Sequence, residues 1–313
     1  MKTVCITGAA GNLGNLTVRH LHANSDVQLR LLIHRKSPVF PQSPDERVKI
    51  CRADLGDPAT LDAALEGVDE IVHYAGVLFK ARPEKFLPTT NLQYFANLLD
   101  AAKRQGVRRI VLVSFPHVEG PTSPAHPSTD RLDGSPVSMH AITRLEEERL
   151  LLKTFPESVV LRVGMVYGRG ILMPDAARWF ARHRLLGVWR KPTDIHLISK
   201  DDFLTTVGNT VANDEARGIY NVGDEGVQTL QEYLDFACDT WGCARPWRIP
   251  ESLVVFAALV FEVFSGSFGT RSPLTRDFVR IGMVSYYGDT SRMRAELLPV
   301  LQHPTMREGC AIF

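Results

Sequence analysis

The apolar residues of this chain change their period in a regular order. "TVCIT" at positions 3–7 is a short run of β-formers, and "NLTVRHLHA" after it repeats its apolar residues at helical spacing. "VQLRLLI" reads as a second strand. Farther on, strand-like and helical segments keep alternating, without an internal repeat, a low-complexity tract or a long linker. This alternation predicts an α/β chain built on a Rossmann-type, doubly wound parallel sheet with a smaller C-terminal substrate lobe. A length of 313 residues is enough for one large core with such a lobe attached. Residues 1–164 are expected to form mainly the dinucleotide-binding lobe and 165–313 mainly the substrate lobe, with segments near 195–225 returning to the first.

Composition narrows the field. The formal charge of +1 gives no general pull towards nucleic acid or an acidic surface, so a small-molecule substrate is favoured. The five cysteines show no metal-ligand spacing, and their odd, scattered arrangement suits reduced thiols in a cytoplasmic setting. "MKTVCITGAAG" runs straight into a strand and a glycine turn, which leaves no room for a signal peptide. The most apolar run, "LVVFAALVFEVF" from Leu253 to Phe264, is shorter than the roughly 20 residues a membrane span needs and contains Glu262. It is expected to be a buried or membrane-surface helix rather than a span. "CAIF" at 310–313 fits a prenylation pattern centred on Cys310, but no basic cluster precedes it, and an ordinary tail is the preferred reading. A homodimer is compatible with all of this.

The first chemical signal is "GAAGNLG", with Gly8, Gly11 and Gly14 spaced three apart between the first strand and the first helix. Glycines allow a tight turn and close backbone approach to a pyrophosphate, whose charge the amides and dipole of the helix N-terminus then hold. Asn12 and Leu13 lie inside this turn. About 20 residues past the last glycine an NAD-type site carries an acid on the ribose 2′-hydroxyl. Here the residues are His34, Arg35 and Lys36. A guanidinium can hold a 2′-phosphate through paired charge-assisted hydrogen bonds, so Arg35 favours NADP(H) over NAD(H).

From this point the chain resembles the extended short-chain dehydrogenases/reductases of the NAD-dependent epimerase/dehydratase superfamily, nearest the 3β-hydroxysteroid dehydrogenase and dihydroflavonol reductase branch. "CRADLGDPATLDAALEGVDEIVHYAGV" is similar to the family's third strand, next helix and fourth strand. The resemblance implies that Asp54 and Leu55 lie at the adenine and that Ala75 and Gly76 lie beside the cofactor. "TTNLQYFANLLDAAKRQGVRRIVLVSF" resembles the helix that opens on a structural Asn, here Asn91. "SVVLRVGMVYGRG" resembles the Arg-x-Gly-x-x-Tyr-Gly turn, with Arg162, Gly164, Tyr167 and Gly168 in register.

The family's catalytic set is a Ser or Thr after the fifth strand and a Tyr-x-x-x-Lys on the next helix. In this chain Ser114 keeps the first serine of that stretch, Phe115 or Pro116 stands where the catalytic hydroxyl belongs, and His140 and Arg144 take the Tyr and Lys places. Residues four apart share a helix face, so His140 and Arg144 should point into one space. An imidazole titrates near ~6.5 and can carry a proton, whereas a guanidinium supplies charge and hydrogen bonds but no proton. The expected catalytic residues are therefore His140, Arg144 and Ser114, with Arg144 also on the cofactor ribose. His117, His126, Tyr94 and Tyr167 are alternative proton carriers. The proline-rich loop 114–138 is expected to wall the pocket. "ARWFARHRLLGVWRKP", with Arg178, Trp179, Arg182, Arg184, Trp189 and Arg190, reads as a substrate-gripping strip or a solvated face. Three activities stay open: an NADP(H)-dependent oxidoreductase acting on a hydroxyl or keto group, a non-redox isomerase, epimerase or dehydratase, and an NADP(H)-binding sensor.

Overall fold

The computed structural model describes residues 1–35, 38, 45–77, 80–268, 270, 272 and 274–313. Lys36, of the basic triplet, lies outside the described residues. The central sheet has seven strands: β1 (Thr3–Thr7), β2 (Gln28–Ile33), β3 (Val48–Arg52), β4 (Glu70–His73), β5 (Arg109–Ser114), β6 (Val159–Val163) and the strand Gly218–Val222. The last of these comes from the C-terminal half and closes the edge beside β6, giving the order Gly218–Val222, β6, β5, β4, β1, β2, β3, with every pairing parallel.

Helices cover both faces, which is why most strands read as continuous apolar runs rather than alternating ones. On one face α1 (Asn12–Asn24) and the Lys200–Ala212 helix pack Val18, Leu21, Phe203 and Val207 onto Val4, Ile6 and Leu31. On the other, α2 (Leu61–Leu65), α3 (Tyr94–Arg104) and α4 (Met139–Thr154) pack Leu61, Leu98 and Leu151 onto Cys5, Ile71 and Leu112. The chain leaves β1 for β2 on one side and later fills β4 on the other. That reversal of winding opens a crevice at the carboxyl ends of β1 and β4, where this architecture binds ligands.

The second lobe contains three two-stranded sheets and its own core, in which Phe313 stacks on Tyr167 at 5.3 Å between ring centres. Phe313 is buried while Cys310 is exposed on a short 3-10 turn, so the final residues are docked against the fold. All five cysteines are unpaired. The loop 114–138 is stitched to the second lobe, with Thr122 N–H donating to the Ser285 carbonyl and Ser128 N–H to the Tyr287 carbonyl. The apolar run is part of a longer helix, Glu251–Phe268, whose 18 residues are long and apolar enough to cross a membrane by length and composition alone. Only Ala258, Glu262 and Ser265 of this helix are buried.

Candidate active site

The phosphate turn is built from backbone. Gly8 has φ +69°, a left-handed conformation that glycine adopts without strain, and a Cβ there would meet the Ala75 nitrogen at 3.0 Å. A Cβ on Gly14 would sit 2.4 Å from the Gly8 carbonyl oxygen, so the turn and the first turn of α1 are in direct backbone contact. Gly11 is the N-cap of α1 and supplies no side-chain cap, which leaves the first-turn amides of Asn12, Leu13 and Gly14 for an anion. Leu13 is half-buried against the core. Asn12 turns its side chain to the second lobe, donating to the Gly170 carbonyl at 2.6 Å and accepting from Leu172 N–H at 2.9 Å. It ties the two lobes together over the turn.

At the other end of the crevice His34 Nε2 lies 3.3 Å from Asp54 Oδ2, joining the ends of β2 and β3. Asp54 also accepts from Gly56 N–H, and the Leu55 carbonyl accepts from Asn97. Arg35 is exposed beside this pair. Residues 34 and 35, at the carboxyl end of β2, carry no acid. The glycine cradle and the uncapped helix fit a dinucleotide. Gly8, Gly11, Asn12, Leu13 and Gly14 would hold its pyrophosphate, and Arg35, Asp54 and Leu55 its adenosine end.

The opposite corner is built from side chains. His140 and Arg144 do share a face of α4, whose N-terminus is capped by the Ser138 hydroxyl accepting from Ala141 N–H. His140 is buried, and its Nδ1 lies 2.5 Å from Asp277 Oδ2, while its Nε2 lies 3.3 Å from the Val77 carbonyl. Both partners are acceptors, so the two contacts are hydrogen bonds together only when both ring nitrogens carry protons. Asp277 comes from the short helix Arg276–Gly282 and also accepts from the backbone N–H groups of Met139 and His140. Burial pushes its carboxyl up, but the His140 and Met139 hydrogen bonds outweigh this and hold it below the ordinary carboxylate range. The ring of Phe278, next to Asp277, stands nearly perpendicular to the imidazole with ring centres 6.3 Å apart.

Arg144 reaches towards Gly76: a Cβ there would lie 3.5 Å from its Nη2. Its Nη1 is 2.7 Å from Glu147 Oε2, aligned as an ion pair but not as a hydrogen bond. Arg144 Nε and both Glu147 oxygens are buried without hydrogen-bond partners. Burial pushes Glu147 up to about 7 against the opposing pull of Arg144. Burial, and then the same guanidinium, pushes His73 at the end of β4 down to about 3. Unsatisfied polar atoms beside Gly76 fit a site that a bound polar group completes, and Arg144 would hold the ribose next to the nicotinamide. Asn91, on the neighbouring helical turn, donates to Thr143 and leaves its own buried carbonyl oxygen unpaired.

Ser114 is elsewhere engaged. It is buried and donates to Glu148 Oε1 at 2.5 Å. Glu148 in turn accepts three bonds from Arg162, which also pairs with Glu119. Ser114 therefore belongs to a buried charge network under α4. Phe115 follows it, half-buried, with its ring 5.6 Å from that of His117, which packs on Tyr286. Burial pushes His117 down to about 3, so it is a weak proton acceptor.

The other candidates lie apart. Tyr94 packs against Gly56 near Asp54, and His126 is exposed at the tip of the loop. Tyr167 is fully buried and donates to the Thr305 carbonyl. In the basic and aromatic strip, Trp189 donates to Thr193 and Trp179 lies tilted against His183 at the surface. Asp277 was not legible as a site residue, because it lies 137 positions from His140 in a segment with no motif. Glu147 had a signal: in the run Glu146–Glu147–Glu148 it falls on the helix face of His140 and Arg144.

Residues 8–153 match a family model described as NAD(P)H-binding. The chain is 28% identical to uronate dehydrogenase from Pseudomonas putida over 212 residues, 66% of this chain and 73% of that protein. It superposes on UDP-glucose 4-epimerase from Thermotoga maritima with a TM-score of 0.76 at 15% identity, covering 99% and 96% of the two chains. The fold is the one seen in the epimerase and dehydratase structures, and residues 8–153 resemble an NAD(P)H-binding domain. A further solved structure, MoeE5 in complex with UDP-glucuronic acid and NAD, superposes with a TM-score of 0.73 at 20% identity over 99% and 97% of the chains. The proteins it resembles include uronate dehydrogenases, UDP-glucose 4-epimerases and a dTDP-glucose 4,6-dehydratase.

Proposed function

We propose that the protein is an NADP(H)-dependent oxidoreductase that interconverts a hydroxyl and a carbonyl group on a small, partly apolar molecule, with His140 as the proton carrier. The observation that carries this reading is the His140–Asp277 pair standing beside Val77, on the segment after β4 that Arg144 reaches at Gly76. When bound, the cofactor supplies the hydride acceptor or donor. In the oxidative direction a substrate hydroxyl takes the place of the Val77 carbonyl as partner of Nε2, and the imidazole accepts its proton there. Asp277 keeps Nδ1 protonated, which fixes the tautomer, and its negative charge stabilises the imidazolium that forms. In the reductive direction the imidazolium returns the proton to the carbonyl oxygen. Arg144 keeps its charge throughout and positions the ribose.

Phe115, Phe278 and Tyr286 give the neighbourhood of His117 and His140 an aromatic character, which favours a substrate with an apolar part. The uronate dehydrogenase relative and the UDP-glucuronic acid complex support sugar acids as the other class to test. Arg35, in place of an acid, supports NADP(H). The test is to identify the nucleotide that co-purifies, compare NADP and NAD affinities by calorimetry, and follow reduced-nicotinamide absorbance with uronic acids and with cyclic alcohols and ketones. Turnover with tighter NADP binding is expected. A changed substrate without net change in the nicotinamide would move the protein to the non-redox class, and binding without any turnover would make it a sensor.

A further inference from the structure

The Glu251–Phe268 helix is turned inside out for a helix in water. Its buried residues, Ala258, Glu262 and Ser265, are small or polar and lie on one stripe at positions i, i+4 and i+7. The Glu262 carboxylate fastens that stripe to the protein by accepting from Arg276 N–H at 2.8 Å and from its guanidinium at 2.7 Å. The large apolar residues point the other way: Leu253, Phe256, Val260, Val263, Phe264 and Phe268 are each more than half exposed. Placed at 3.6 residues per turn, the exposed apolar positions from Val255 to Phe268 sweep roughly 240° of the helix surface. One packed neighbour normally covers a stripe of about 100°, so a single partner helix would leave most of this arc in water. A fluid apolar medium covers all of it.

The end of the molecule where this helix begins has the chemistry of a membrane surface. Trp247, four residues before the helix, is two-thirds exposed at 66%, and its indole N–H donates to the Arg184 carbonyl. Arg184, Leu185 and Arg190 are exposed on the segment that pairs with its strand, where Arg190 N–H donates to the Ile249 carbonyl. An amphipathic indole with exposed arginines on the neighbouring segment suits the boundary between acyl chains and anionic headgroups.

We propose that the outer face of the Glu251–Phe268 helix lies in the apolar layer of one leaflet of an anionic bilayer, with Trp247 and the arginines of the neighbouring segment at headgroup level. The inner stripe stays on the protein, so the helix rests in the leaflet without crossing it. This inference is independent of the reaction proposed above.

The test is flotation of the full chain with vesicles of phosphatidylcholine alone and with a minority of phosphatidylserine added. Native protein should float with the mixed vesicles and less with the neutral ones. The triple variant Phe256→Ser, Val260→Ser, Phe264→Ser should lose at least about tenfold in vesicle affinity. Its circular dichroism and cofactor affinity should remain native. Brominated lipid should quench part of the native tryptophan emission, and Trp247→Phe should remove the quenched part; this arm stands if the triple variant fails to fold. Native protein that stays at the bottom of both gradients would overturn the proposal. So would a native dimer in sedimentation that the triple variant converts to monomer without any vesicle binding, because the occupant would then be a second copy.

Discussion

The phosphate turn and the His140 corner lie at the carboxyl ends of strands of the same sheet, yet they are made of different material. The turn is backbone: Gly8, Gly11 and Gly14 approach one another and Ala75 so closely that side chains are excluded, and its ligands would be amides. The corner is side chain: on α4 Arg144 pairs with Glu147, and His140 meets Asp277, which arrives from the far end of the chain. A backbone site tolerates few sequences and keeps its motif. A side-chain site can exchange its groups while keeping its geometry, and we read the imidazole of His140 and the guanidinium of Arg144 as such an exchange.

The comparison can be sharpened by substitution on either side. The largest effect is expected from Arg162→Met, which leaves Glu148 and Glu119 as buried charges without their cation; stability should fall by about 3–5 kcal/mol in chemical denaturation. A smaller loss would mean that this network is solvated. Gly14→Val places a branched side chain against the Gly8 carbonyl and should weaken NADP(H) by about 100-fold or more in calorimetry, as an overpacked contact costing roughly 3 kcal/mol. Unchanged affinity in a folded variant would contradict the phosphate assignment.

On the side-chain side, Asp277→Asn should lower turnover by about 100-fold, because Asn cannot balance an imidazolium and presents either tautomer with a partner. Cofactor affinity should stay near native. The smallest effect concerns Glu147. Its carboxyl is held up near 7 in the folded protein, so the folded state keeps a proton that the unfolded chain releases above the ordinary carboxylate range. Its contribution to stability is present below about pH 4.5 and is lost as pH rises towards 7. Glu147→Gln should remove that part of the pH dependence, flattening the slope by at most about 1.4 kcal/mol per pH unit between pH 4.5 and 7. An unchanged slope in thermal or chemical unfolding would show that Glu147 is ionised throughout.

The strand–turn–helix at residues 3–24 was fully legible, since a glycine turn between a β-run and a helical run has few structural meanings. So were the parallel sheet and the shared face of His140 and Arg144, which follow from period alone. Ser114 was misleading, because its position in the chain says nothing of the direction of its hydroxyl, and Glu148 draws that into the core. Asp277 could not be read, as only folding brings it to α4. The Leu253–Phe264 run was seen as apolar, but which way its residues face depends on Glu262 finding Arg276.

The claim at the centre of this account is that His140 replaces the missing phenol as a working proton carrier. The most direct measurement is the turnover rate and NADP(H) dissociation constant of His140→Phe beside native protein, on one substrate found in the panel. The account predicts a rate lower by about 100-fold or more, within the usual range for removal of a general acid–base, with cofactor affinity within about twofold of native. A native rate in the His140→Phe protein would contradict it and leave the imidazole a packing residue held by Asp277.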